Sequence, residues 1–138
     1  MSHAISCTWN DGMSFDAHVT GHTITMDADD SAGGQDRGPR PKPMILASLA
    51  GCTGMDVIAI LKKMNQSPSF FNIKVEGALN DEHPKYYQNI KLVYEFKEDD
   101  GLDTGKVERA VKLSQEKYCG VSALLRQSST LDYEIRYL

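Results

Sequence analysis

The chain lacks the sequence features of disulfide-rich, nucleic-acid-binding and secreted proteins. Among its 138 residues there are only three cysteines and one tryptophan, and no C-x-x-C pair occurs. The odd cysteine count argues against a framework of disulfide bonds. The formal net charge of −4, with basic pairs no longer than Lys62-Lys63, argues against nucleic acid as a partner. The N-terminus has no basic start followed by an apolar run, so we predict no secretory signal and expect a cytoplasmic protein.

The histidines and glycines also lack the patterns of metal and phosphate sites. His18 and His22 straddle a predicted turn, which does not place them on one helix face as an H-x-x-x-H site requires. Gly33-Gly34 precedes a helix, but no G-K-[ST] follows. We therefore predict neither a metal site nor a bound cofactor.

What the chain does have is the composition of an ordinary soluble domain and one long apolar segment. With 41% hydrophobic and 25% charged residues, it fits a single domain over residues 1–138. Met44 to Leu61 is apolar enough and long enough to cross a membrane. However, it contains Asp56, ends at two lysines and is rich in small residues, so we interpret it as a buried core helix and predict no membrane partner.

Alternating apolar residues predict three strands, joined as a meander, in the first 28 residues. Asn10-Asp11-Gly12 and Thr20-Gly21-His22 are the predicted turns between them. A loop rich in glycine, proline and charge follows over residues 29–43. A central helix is predicted from Pro41 to about Gln66, because prolines are tolerated in a first helical turn.

The second half predicts two more strands, a helix and a last strand. The strands are expected around residues 71–79 and 90–96, and the last strand over 131–137. Thr104 is a candidate cap for the helix between them, Gly120 is expected to end that helix, and Val121 to Arg126 is predicted as a short further helix. The predicted inner face of the helix consists of Val107, Ala110, Val111, Ser114 and Tyr118. The order β-β-β-α-β-β-α-β defines an α+β fold.

The central helix is apolar nearly all round, whereas each alternating strand offers one apolar face. One thin sheet cannot cover such a helix. We therefore predict a homodimer in which paired central helices are packed between sheets.

Two cysteines lie on separate predicted helices. Cys52 lies in A-G-C-T-G-M-D-V-I-A-I-L-K-K, and Cys119 lies in E-K-Y-C-G-V-S-A-L-L. Such a pair is compatible with redox chemistry, and equally with two small core residues. Cys7 alternates with Ile5 and Trp9, and we expect it in the core.

These two segments resemble the cysteine motifs of the OsmC/Ohr superfamily, and the loop G-G-Q-D-R-G-P-R-P resembles that of its less characterised OsmC-like branch. The resemblance covers essentially the whole chain. It implies an OsmC-like fold in an intertwined homodimer, with active sites near the subunit interface. It also implies a cofactor-free, thiol-dependent peroxidase for organic hydroperoxides in oxidative or osmotic stress defence. Cys52 would be the attacking thiol, Cys119 the resolving thiol, and a dithiol the reductant.

One feature departs from that family. Well-studied members carry a glutamate about one turn into the central helix and an arginine that engages the reactive thiol, whereas here the helix starts Lys42-Pro43-Met44. Arg37 and Arg40, in the preceding loop, are the candidate thiolate-stabilising cations.

A reactive thiolate needs a nearby positive charge. Cys52 is roughly nine residues into its helix, about 14 Å from the start, where the helix dipole has faded. Asp56, one turn later, would raise the thiol pKa unless it pairs with a cation or points aside. We expect a cation from outside the helix and a Cys52 pKa below the ordinary thiol value. The alternatives are a non-catalytic homodimer that binds a small apolar or thiol-reactive ligand, and a dimer with inert cysteines.

Overall fold

The computed structural model describes all 138 residues, in two compact units, Met1–Ile45 and Leu46–Leu138. A single domain over residues 1–138 stays a prediction. The mixed α+β class and the predicted order of elements are confirmed. The strands are β1 (Ser6–Trp9), β2 (Phe15–Val19), β3 (His22–Met26), β4 (Phe71–Leu79), β5 (Tyr87–Phe96) and β6 (Thr130–Tyr137). The helices are α1 (Pro41–Lys63), α2 (Thr104–Leu113) and α3 (Gly120–Leu125).

The N-terminal unit contains the predicted antiparallel meander β1-β2-β3. Val19 pairs with His22, so only Thr20 and Gly21 form the second turn. Both have positive φ, +47° and +81°. A two-residue turn needs positive φ at both positions when its twist matches that of the flanking strands. Turn geometry therefore sets the register of this sheet.

The loop after β3 is organised around one buried carboxylate, that of Asp27, which is 2% exposed. Asp27 accepts hydrogen bonds from the backbone N–H groups of Ala28, Gln35 and Arg37, at 2.8, 3.2 and 3.2 Å. Burial alone would raise the pKa of Asp27, but these N–H donors and the charge of Arg37 hold it below its usual value. The loop also contains a 3-10 turn over Asp30–Ala32, which composition did not predict.

Cys7 was expected in the core, and that expectation is wrong. All four residues of β1 are exposed, and Ile5 and Trp9 are 64% and 61% exposed. β1 is an edge strand of a three-stranded sheet, so alternation along it does not bring burial.

Helix α1 has the predicted prolines in its first turn and ends at Lys63, not near Gln66. Asn65 has φ +58°, a conformation that terminates helices. The buried residues of α1 are Leu49, Thr53, Val57 and Leu61, spaced at i, i+4 along one stripe. Other apolar side chains of α1 stay exposed in the single chain, such as Met55 at 77%, as expected if one thin sheet cannot cover this helix.

On length and composition, α1 is the one helix that could cross a membrane, and 22% of its most apolar window is buried. Core helices of soluble proteins satisfy the same criterion. The stripe of α1 packs into the core of the C-terminal unit, as expected of such a helix.

The C-terminal unit has a three-stranded sheet in the order β4-β5-β6, with β5 antiparallel to β4 and parallel to β6. Alternate residues of the central strand β5 point into the core, where they meet α1 and α2. Its fully buried side chains are Ile90, Leu92, Tyr94 and Phe96, and those of α2 are Val107, Ala110 and Val111.

Helix α2 is capped by Asp103, whose carboxylate accepts from the Lys106 N–H, and not by Thr104. Beyond its last residue the chain widens into a π-turn, Ser114–Tyr118. This change of helical period turns Tyr118 outward, to 53% exposure, although it was predicted on the inner face. Cys119 is extended and caps α3, so the break falls at Cys119 and Gly120 begins the next helix.

Candidate functional site

Cys52, Asp56 and Cys119 come together in the C-terminal unit. Cys52 and Asp56 are half-buried and lie one turn apart on α1, and Cys119 is 3% exposed at the junction before α3. The two Sγ atoms and a carboxylate oxygen of Asp56 all lie within 4.8 Å of one another. The two thiols are free. A disulfide would need the sulfurs to approach to about 2 Å, a further movement of less than about 3 Å, and its formation stays a prediction.

Each of these three groups accepts a hydrogen bond from a neighbouring donor. The backbone N–H of Val121 bonds the sulfur of Cys52. The backbone N–H of Ser122 donates to the Cys119 Sγ, at 3.3 Å. The hydroxyl of Ser114 donates to Asp56 Oδ2, at 3.0 Å. The site therefore presents a hydrogen-bond donor to each sulfur and to the carboxylate.

Burial nevertheless raises the pKa of Cys52 above its ordinary value. The N–H of Val121 lowers it, while the neighbouring Cys119 thiol and the Asp56 charge raise it further. The expectation of a lowered pKa is therefore wrong for the single chain. Asp56 neither pairs with a cation nor points aside, since Ser114 holds it at the site.

The hydroxyl that holds Asp56 belongs to a buried chain of hydrogen bonds. An ionised carboxylate only accepts, so the single Ser114 proton points to Asp56. Thr53 must then donate to Ser114, at 2.7 Å, and Tyr94 must donate to Thr53, at 2.7 Å. Burial raises the pKa of Tyr94, so this phenol keeps the proton that the chain requires.

The far end of the chain is cationic. Gln115 donates its amide to the Tyr94 hydroxyl, at 2.7 Å, and Arg126 donates to Gln115 Oε1, at 2.7 Å. Every proton between Arg126 and Asp56 therefore points toward the carboxylate. Such a directed chain strengthens each of its bonds and holds Asp56 in one orientation.

The candidate cations Arg37 and Arg40 are bonded within the N-terminal unit. Arg37 pairs with Asp11 and with Asp27, whose Oδ2 lies 3.4 Å from Nε. Arg40 donates to Asp36 Oδ1, at 2.7 Å, and to the Gly38 carbonyl, at 2.8 Å. These partners raise the pKa of both guanidinium groups. Their role toward Cys52 stays a prediction.

A cleft of about 440 Å³ opens beside Asp56. Two cations, Lys63 and Arg109, line this cleft together with the Asp56 carboxylate, and the rest of its lining is apolar or aromatic. The remaining lining residues are Ala59, Ile60, Met64, Leu113 and Tyr118. The cleft can accept a ligand with an apolar body and an anionic end.

The fold and the paired cysteines define a known class. The family model described as OsmC-like protein matches residues 33–134, and the chain belongs to this family. Protein YhfA of Escherichia coli K12 is 32% identical over 130 residues, which are 92% of this chain and 93% of that relative.

Solved structures share the whole fold. The crystal structure of a hypothetical protein from Aquifex aeolicus VF5 has a TM-score of 0.83 and 28% identity, covering 100% of this chain and 98% of that one. An organic hydroperoxide resistance protein OsmC from Legionella pneumophila has a TM-score of 0.71 and 15% identity, covering 98% and 96%. At that identity the likeness concerns the fold alone.

Sequence reasoning found the two cysteines and missed the polar chain behind them. Tyr94 and Ser114 were assigned to apolar faces by periodicity alone. Their partners lie 41 and 61 positions away along the chain, at Thr53, so no local signal pairs them. The one local hint is that Thr53 directly follows Cys52.

Proposed function

We propose that this protein is a thiol-dependent peroxidase that reduces organic hydroperoxides through Cys52 and Cys119, in the cytoplasm, as part of stress defence. The observation that carries this proposal is the approach of the two sulfurs to within 4.8 Å, from separate elements of one unit. Membership of the OsmC-like family supports it, as does a shared fold with proteins named for organic hydroperoxide resistance.

The proposed reaction runs through a disulfide. The Cys52 thiolate attacks the terminal oxygen of a hydroperoxide, the O–O bond breaks, and the alkoxide leaves as an alcohol after taking one proton. Cys52 is then a sulfenic acid. The Cys119 thiol displaces its oxygen as water and forms the disulfide. An external dithiol, oxidised in turn, restores both thiols.

This chemistry needs the Cys52 thiolate, whose formation the single chain disfavours because burial raises the pKa of Cys52. We propose that a second copy of the chain completes the site. Helix α1 exposes apolar side chains, among them Met55, Ile58 and Ile45, at 77%, 41% and 42%. A homodimer that covers this face would bury apolar surface and could bring a cation to Cys52.

The test is consumption of an organic hydroperoxide with a dithiol reductant, in the presence of a metal chelator. We expect Cys52→Ser to abolish turnover, and Cys119→Ser, assayed without the dithiol, to consume about one equivalent of peroxide while a sulfenic acid accumulates. Cys7→Ser, which removes the exposed third thiol, is the matched control and should keep full activity. Undiminished turnover by Cys52→Ser would refute the proposal.

The cleft beside Asp56 and the raised pKa of Cys52 favour a second candidate, a non-catalytic dimer that binds a small ligand near the cysteines. The ligand would have an apolar body and an anionic end facing Lys63 and Arg109. A fluorescent fatty acid is a suitable probe. If it binds to wild type and is lost in Arg109→Gln, while no peroxide is consumed, this second function replaces the first.

A further inference from the structure

We propose that Cys52, Asp56 and Cys119 form a binding site for a thiophilic divalent cation of the zinc class. The proposal goes beyond peroxidase chemistry, and it rests on three donor atoms and on the groups that hold them. Two sulfurs and a carboxylate oxygen meet within 4.8 Å of one another. Around a tetrahedral zinc ion, with bonds of about 2.0 to 2.3 Å, such donors are separated by about 3.5 to 3.8 Å. The ligands therefore need to close by at most about 1.3 Å.

The type of donor selects the metal. Two thiolates and one carboxylate suit Zn²⁺ or Cd²⁺, whereas Mg²⁺ and Ca²⁺ prefer oxygen ligands alone. Three protein ligands leave the fourth position of a tetrahedral ion for water or another small ligand.

The outer contacts are those that orient metal ligands in proteins. Each ligand is already held by a donor, through the N–H of Val121, the N–H of Ser122 and the hydroxyl of Ser114. With Ser114 bonded to Oδ2, the other Asp56 oxygen is left for an ion. The buried chain of hydrogen bonds behind Ser114 keeps the Ser114 hydroxyl pointed at Asp56 and so fixes the orientation of this carboxylate.

The charge at the site also favours a bound cation. Asp56 takes part in none of the ion pairs of the chain, so its carboxylate has no side-chain cation as a direct partner. On binding, Cys52 and Cys119 would each lose a proton to solvent, and two thiolates and one carboxylate would surround the dication. No electron is transferred, and oxidation to a disulfide would remove the site.

The test uses the full chain, reduced, freed of reductant and kept anaerobic, with Cd²⁺ as the probe. We expect a thiolate-to-cadmium charge-transfer band that saturates at one ion per chain, with release of two protons. Zn²⁺ should compete for the same site, and protein whose thiols have been alkylated should give no band. These measurements on wild type need no variant, and the absence of the band or of saturation at one ion overturns the proposal.

Variants locate the site. Cys52→Ser and Cys119→Ser should each abolish tight binding, and Asp56→Asn should weaken it. Ser114→Ala, which removes a hydroxyl bonded to Asp56 and Thr53 and to neither sulfur, should weaken it by about 10- to 100-fold. Cys7→Ser is the matched control and should bind as wild type. A band that depends on Cys7, or one that folded Asp56→Asn protein keeps at full affinity, overturns the assignment. Because binding is measured without peroxide and turnover with chelator, failure of one proposal leaves the other to be judged separately.

Discussion

Ser114 donates its hydroxyl proton to Asp56 across 58 positions of sequence, at 3.0 Å, and so holds a carboxylate beside the two thiols. The bond joins the π-turn after α2 to the middle of α1. It makes Asp56 a fixed negative charge, where sequence reasoning expected it to be neutralised or turned away. Burial is the largest cause of the raised pKa of Cys52, and the charge of Asp56 adds to it.

Replacing Asp56 by Asn should speed alkylation of Cys52. The Asp56 charge is one of the causes that raise the pKa of Cys52, so its removal leaves more thiolate at neutral pH. We expect roughly a two- to fivefold faster rate, as one partly screened charge at this distance would give. Alkylation kinetics in a Cys7→Ser background measure it, with mass spectrometry to identify the modified thiol. An unchanged rate would show that the carboxylate does not act on the thiol.

Replacing Tyr94 by Phe should destabilise the protein by about 1–3 kcal/mol, because buried polar partners lose their bonds. The Gln115 amide would lose its 2.7 Å acceptor, and Thr53 would lose its donor. Urea unfolding measures the effect. Tyr133→Phe makes the same change at a tyrosine that is 39% exposed, and it should cost much less. Equal losses in the two variants would argue against the buried chain as a source of stability.

Asp27 should make the stability of the protein depend on acid pH. Its folded pKa lies below the usual value, so its contribution is fully present above about pH 5 and is lost as pH falls through the folded pKa. In Asp27→Asn, the free energy of unfolding should decline less steeply over that acid range. Denaturant unfolding at several pH values measures the slope. Asp81→Asn changes an exposed aspartate and should leave the slope as in wild type.

Replacing Met55 by Arg should prevent the proposed dimerisation. Met55 is 77% exposed on the apolar face of α1, so a charge there costs the single chain little and would disrupt a partner packed on that face. Sedimentation velocity at micromolar concentration should give twice 15.3 kDa for wild type and 15.3 kDa for the variant. Met55→Leu should behave as wild type. A stable, folded wild-type monomer would contradict the proposed assembly.

The order of the strands and helices could be predicted from the periodicity of apolar residues and from the turn residues between them. Alternation located the strands, because side chains along a strand point to opposite faces. Thr20-Gly21-His22 marked the second turn, although His22 already pairs with Val19. Errors arose at the ends of elements. Asp103 replaced Thr104 as a cap, and the π-turn moved Tyr118 out of the core. Burial of Cys7 was also wrong, since periodicity does not tell an edge strand from a central one.

The sequence by itself determined that Cys52 lies in an apolar helix and that Cys119 lies at a helix break. Only the tertiary structure decided that the two sulfurs meet with Asp56 within 4.8 Å. It also decided that Arg37 pairs with Asp11 and Asp27. The physical reason is the distance along the chain over which each kind of interaction acts. Helix and strand preferences act between neighbours a few positions apart. The hydrogen bonds that tie α1 to the rest of this site join residues 41 to 62 positions apart, and they form only when α1, β5 and the π-turn pack together.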